Sequence, residues 1–151
     1  MKLAEALNLR ADLQKRIANL RERLIKNAKV QEGDTPSEEP NMLLNELNDN
    51  IIELENIIKS INKTNSSTYI GNESISDIIA KRDTLGLKLS ILRSFISESA
   101  NKIERYSNKE IKILSTVNVA EQQKEIDKLS KEYRLIDTKL QGLNWTTDII
   151  S

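Results

Sequence analysis

Apolar side chains recur along this chain at alternating steps of three and four residues, the spacing that lines one face of an α-helix. The first row is Leu3, Ala6, Arg10, Leu13, Ile17, Leu20 and Leu24, in a stretch free of Gly and Pro through Val30. The second is Leu44, Leu47, Ile51, Leu54, Ile58 and Ile61. A third runs Ile75, Ile78, Arg82, Leu85, Leu89, Leu92, Ile96, Ser99 and Ile103, with Ser74 or Ser76 able to cap its start. The fourth is Val119, Gln122, Ile126, Leu129, Tyr133, Ile136, Leu140 and Leu143. The pattern predicts four helices, over about 3–30, 39–63, 76–105 and 119–143, in one all-α domain spanning the chain.

The breaks between these rows are as legible as the rows. Gln31 to Ser37 contains Gly33, Pro36 and a residue suited to cap a helix, with Glu38 and Glu39 where the next helix dipole favours negative charge. Asn62 to Asn72 is rich in Asn, Ser and Thr, and Tyr69 to Ile75 has the pattern of a small hairpin, a β-like segment over about 68–75. A third break spans Tyr106 to Asn118, within which Glu110-Ile111-Lys112-Ile113 alternates as a short strand would, giving a second β-like segment over about 110–114. Short connections favour an antiparallel up-down bundle or coiled coil, which would gather the N-terminal segment, residues 62–76 and the C-terminal segment at one end.

Charge refines the pairing. Residues 1–30 carry 8 basic and 3 acidic side chains, whereas residues 31–60 carry 1 basic and 8 acidic, so the first two helices form a complementary hairpin. Basic residues of the first helix, Lys15, Arg16, Arg21, Arg23 and Lys26, then face the acidic helix or solvent. Over the whole chain 23 basic and 23 acidic residues cancel, which removes the electrostatic grip expected of a nucleic-acid binder or a lipid-surface binder.

Composition narrows the chemistry. The chain has no His and no Cys, which excludes a Ser-His-Asp triad, a cysteine nucleophile, a conventional zinc site and a disulfide framework. No glycine-rich phosphate loop, Gly-x-Ser-x-Gly turn or calcium loop is present. The N-terminal segment is charged and amphipathic, and no apolar run approaches the roughly 20 residues of a membrane span. A cytoplasmic, non-catalytic protein without cofactor or metal is the expectation.

Three groups of residues remain as candidates. Arg10 and Arg82 interrupt apolar seams and, counted along antiparallel helices, approach one bundle end together with Asp83, Asn62, Thr64, Asn65, Asn144 and Trp145. Two guanidinium groups there could clamp a phosphate or carboxylate; equally, each could pair with a nearby aspartate, Asp12, Asp83 or Asp137. Trp145, the only Trp, is expected to close that end of the core. A second polar cluster at the other end comprises Asn27, Lys29, Gln31, Arg105, Tyr106, Lys109 and Lys112, which reads as a solvated loop, since one Tyr makes no stacking platform for bases. The third group is apolar: Leu87, Ile91 and Phe95 form a row beside the main seam of the third helix, and Ile52 and Ile57 lie off the seam of the second. Such a row serves either a wide core or a self-association surface, and with only 5 aromatics in four thin helices a homo-oligomer is expected.

Several strings resemble a family of small, mostly uncharacterised bacterial helical proteins that often carry the label septicolysin. They are Met1 to Leu7, Arg10 to Ile17, Asn27 to Gly33, Ile61 to Asn65, Lys81-Arg82-Asp83, Arg105-Tyr106-Ser107 with Glu110-Ile111-Lys112, and Leu143 to Thr147, so the resemblance spans essentially the whole chain. The label implies a pore-forming cytolysin, and the family supplies no catalytic residues to carry over. The residues rank the functions as a self-associating scaffold or interaction protein first and an anion binder using Arg10 and Arg82 second. An enzyme using Asp or Lys in the same pocket comes third, and a cytolysin last, for want of a long apolar hairpin or aromatic membrane loop.

Overall fold

The fold is all-α. A computed structural model describes residues 1–101 and 111–151, and within them helices α1 (Leu3–Lys26), α2 (Pro40–Ser67), α3 (Ile75–Ala100) and α4 (Val119–Thr146) follow in order. A two-stranded hairpin, β1 (Tyr69–Ile70) and β2 (Glu73–Ser74), joins α2 to α3. Its strands pair antiparallel, Tyr69 with Ser74 and Ile70 with Glu73, around the two-residue turn Gly71-Asn72. Gly71 has φ of 63°, the positive value that a two-residue hairpin turn needs at its first position and that only glycine adopts without strain.

Contacts divide the described residues into two compact units, one of Met1–Ile75 with Gln141–Ser151, the other of Ser76–Leu140. In the first unit α1 and α2 run antiparallel. The α1 row buries Leu3, Ala6, Leu13 and Leu20, with Arg10, Ile17 and Leu24 half-buried between them, as its spacing predicts. The seam of α2 keeps Leu47, Leu54, Ile58 and Ile61 of the expected row and is shifted by one residue only in its first half, where Leu43 and Asn50 replace Leu44 and Ile51. Leu43, Asn50, Ile61 and Thr64 are buried and Leu47, Leu54 and Ile57 half-buried, whereas Leu44 and Ile51 are exposed. Asn50 tolerates the seam because its amide donates to the Glu46 carbonyl of its own helix at 2.8 Å.

Helix ends follow local chemistry. α1 stops at Lys26 rather than near Val30, because the Asn27 side chain folds back to donate to the Arg23 carbonyl at 2.8 Å and accepts from the Glu38 amide at 3.0 Å. α2 starts after Glu39, whose carboxylate accepts from the Asn41 amide, and Pro40 occupies the first turn, where a missing N–H costs nothing. It continues past residue 63 to Ser67. α4 is capped by Asn118, whose Oδ1 accepts from the Glu121 amide at 3.1 Å, and it runs to Thr146. No strand forms over Ile111–Leu114, where the chain is irregular and exposed, and Glu110 lies outside the described residues.

The second unit is the antiparallel pair of α3 and the first part of α4. Leu89, Ile96, Ile126 and Leu129 form its core, with Leu85, Leu92, Val117, Val119 and Tyr133 packed around them. At Gly86 the Tyr133 ring lies so close to the α3 backbone that an added Cβ would stand 3.1 Å from its Cε2. Gly142 of α4, by contrast, has nothing within 4 Å of an added Cβ and no positive φ. Gly142→Ala should therefore raise unfolding free energy by about 0.5–1 kcal/mol through helix propensity alone. Gly86→Ala should gain less, since the new methyl must displace the ring; urea titration of both variants checks this contrast.

Candidate functional site

The first unit carries the end at which the sequence gathers three segments. Leu3 donates its amide to the Thr147 carbonyl at 2.9 Å and Ile149 donates to the Met1 carbonyl at 3.0 Å, an antiparallel bridge centred on Lys2 and Asp148. The Lys2 ammonium reaches Asp148 Oδ1 at 2.8 Å, and that hydrogen bond, reinforced by the charge of Lys2, holds the Asp148 carboxyl below its ordinary pKa. Thr64 fastens α2 to the same segment. Its hydroxyl donates to the Ser60 carbonyl at 2.7 Å and accepts from the Ile150 amide at 2.8 Å, with the residue wholly buried. Lys63 adds a hydrogen bond to the Ser151 carbonyl.

Of the residues expected here, Arg10, Asn62, Thr64, Asn65, Asn144 and Trp145 belong to this unit, while Arg82 and Asp83 belong to the other. Thr64 is committed to the clasp just described. Asn65 Oδ1 is buried without a hydrogen-bond partner. Trp145 does not close the core: it is 60% exposed, because α4 extends past it and carries its ring outward.

Arg82 sits half-buried on the α3 seam with its guanidinium between two carboxylates, Nε to Asp83 and Nη1 to Asp137, each at 3.1 Å. Burial alone would lower its pKa, but the hydrogen bonds and charges of Asp83 and Asp137 together outweigh it and raise the pKa further. The group is thus neutralised locally, its stem covering apolar surface and its head at the rim.

At the opposite end of the α1–α2 pair, Arg23 grips Glu38 in a fork, Nη2 to Oε1 at 2.6 Å and Nε to Oε2 at 3.0 Å, and approaches Glu46 at 3.9 Å. The hydrogen bond from Arg23 holds Glu38 below the ordinary glutamate range. This is the pairing that the charge asymmetry implies, but among the described residues Arg23 alone of the six basic α1 side chains achieves it; Lys15, Arg16, Arg21 and Lys26 are exposed, and Arg10 is half-buried without a carboxylate partner. In the second polar cluster, Asn27 is the cap already described, Lys29 and Gln31 are exposed in the α1–α2 loop, and Lys112 is exposed in the other unit. Arg105, Tyr106 and Lys109 lie outside the described residues.

The apolar row lies on the exposed face of α3. Leu87, Ile91 and Phe95 are 62%, 60% and 43% exposed on α3, while Leu89 and Ile96 are in the core. Phe95 also lines a hollow of about 230 Å³ with Ile113 and Leu114, so the exposed apolar surface continues into the segment before α4. On α2, Ile52 is exposed and Ile57 half-buried. Among the described residues no group of three or more acidic side chains is placed to hold a metal ion. Nor is any helix there long and apolar enough to cross a membrane.

These elements define an all-α protein of paired helices in which Asn27, Thr64 and Arg82 of the candidate polar clusters are engaged by protein partners and α3 carries a bare apolar row. Residues 10–149 match the model of DUF6847, a family of unknown function, and the chain belongs to that family. It is also similar to a functionally unknown conserved protein from Corynebacterium diphtheriae, known from a crystal structure, with 37% identity, a TM-score of 0.90 and 99% of each chain covered. No curated protein matches. Neither of the two matches carries the septicolysin label, and the pore-forming reading that came with it has no support here.

Proposed function

We propose that this protein is a non-catalytic cytoplasmic scaffold or interaction module that works by self-association through the outer row of α3. The observation that carries this reading is the exposure of Leu87, Ile91 and Phe95 as an i, i+4, i+8 row on a helix whose other face already fills a core. Three large apolar side chains in line cost solvation free energy unless something covers them. A second copy suits them, because a row of this spacing laid across its own symmetry mate meets itself, as a two-fold interface requires. A formal net charge of zero leaves no long-range repulsion between copies. The three- and four-residue steps along the buried rows also support coiled-coil packing within each helix pair. The engagement of Arg82 by Asp83 and Asp137 favours this reading over anion binding through Arg10 and Arg82.

Light scattering coupled to size exclusion tests it. The wild-type chain should elute at a multiple of 17.2 kDa, and Phe95→Glu, which places a charge in the row at little cost to the fold, should return the mass to 17.2 kDa. A wild-type mass of one chain across a wide concentration range sinks the proposal.

A further inference from the structure

A second feature of the α3–α4 pair is independent of the apolar row. Gly86 leaves room for the Tyr133 ring against the α3 backbone, and beside it opens a hollow of about 360 Å³ lined by Gly86, Leu89, Arg93, Ser130, Tyr133 and Arg134. Two of these six residues are arginines and none is acidic. Arg93 reaches across from α3 and donates from Nη2 to the Ser130 hydroxyl at 2.9 Å, a neutral partner that leaves its charge uncompensated. Arg134 is one turn beyond Ser130 on the same face of α4 and lines the same hollow. Among the described residues Arg134 makes no ion pair or hydrogen bond.

The contrast with Arg23 and Arg82 is informative, although Arg10 on the α1 seam also has no carboxylate partner among the described residues. Arg23 and Arg82 are each held by carboxylates, whereas the two at this hollow have only a hydroxyl between them. Two like charges turned into one concavity repel each other, and an anion seated between them converts that repulsion into attraction. Guanidinium forks match the geometry of tetrahedral oxyanions, and the hydroxyls of Ser130 and Tyr133 can each donate to a further oxygen. The hollow also exceeds what an oxyanion alone fills and lies within the range of small-molecule sites, with Leu89 and the Tyr133 ring as its apolar wall. We propose that this hollow binds a phosphate group, carried either by inorganic phosphate or by a small phosphomonoester whose organic part rests on Leu89 and Tyr133.

Titration of the full-length, 15N-labelled chain with inorganic phosphate and, separately, with phenyl phosphate tests this, with ionic strength held constant by chloride. Saturable amide shifts concentrated at residues 86–93 and 130–134 are expected. Arg134→Gln should weaken binding about tenfold or more, Arg93→Gln comparably, and Arg134→Lys by less, since a lysine keeps the charge and loses the fork. Arg134 is exposed and holds no other side chain, so its variants fold as the wild type does, which a thermal melt verifies. Tighter binding of phenyl phosphate identifies a phosphomonoester site and equal affinity a free-phosphate site; both support the proposal. It is overturned by shifts that stay linear with either probe, by saturable shifts unchanged in both glutamine variants, or by phenol reproducing the phenyl phosphate response.

Discussion

Leu89→Ala is expected to cost about 3 kcal/mol of unfolding free energy, whereas Leu87→Ala, two residues away on the same helix, should cost about 0.5 kcal/mol or less. Leu89 is 2% exposed and central to the cluster of Ile96, Ile126 and Leu129, so truncation removes its burial and leaves a cavity that rigid neighbours fill only in part. Leu87 is 62% exposed and loses little that the folded chain was protecting from water. Urea titration at low protein concentration measures both. The pair also separates fold from surface: Leu87→Ala should weaken self-association while leaving the urea midpoint of the monomer nearly unchanged, and Leu89→Ala should do the reverse. A Leu89→Ala cost below about 1 kcal/mol would mean that the α3–α4 core is not packed as described.

Thr64→Val should be the second most damaging conservative change, at about 2 kcal/mol, although it preserves shape. The Thr64 hydroxyl is wholly buried and serves two partners, donating to the Ser60 carbonyl and accepting from the Ile150 amide. The Ser60 carbonyl keeps its α-helical hydrogen bond, so the loss falls on the Ile150 N–H, a donor left without an acceptor. Hydrogen exchange gives the specific readout. The Ile150 and Ile149 amides should lose protection in Thr64→Val, while amides of Ser76–Leu140, in the other unit, keep theirs. Uniform loss of protection throughout would show that Thr64 supports the fold at large and not this fastening.

The rows of α1, α3 and α4 were legible because their polar interruptions are few: Arg10, Arg82 and Gln122 have side chains long enough to leave the seam, and Ser99 donates its hydroxyl to the Phe95 carbonyl of its own helix at 2.8 Å. The α2 row was legible at Leu47, Leu54, Ile58 and Ile61 but not at Leu44 and Ile51, for a specific reason. Asn50 occupies a true seam position between Leu43, Leu47 and Leu54, and the exposed apolar residues Leu44 and Ile51, one step around the helix, lead into Ile58 without a polar break. Periodicity takes the cleaner row; burial takes the one whose Asn satisfies itself against Glu46. Helix ends escaped for a similar reason, since Asn27 ends α1 through a hydrogen bond to Glu38 that lies in the next segment. Arg82 with Asp83 and Asp137 could be anticipated as an ion pair from helix spacing. The Arg93 and Arg134 hollow could not, because it depends on Gly86 admitting the Tyr133 ring, a contact that pairs two helices and appears in neither sequence segment alone.

The division of the chain also fixes an order of events in its making. Ser76–Leu140 is contiguous, so its two helices can close on each other as soon as both are synthesised. The other unit is interrupted: Lys2 and Thr146 meet across 144 residues, and Thr64 and Ile150 across 86. On the ribosome, α1 and α2 must therefore wait as an unfastened hairpin, with the first turn of α1 and the last turn of α2 open, until the segment after Gln141 emerges. The earliest helices to be made belong to the last unit to be completed.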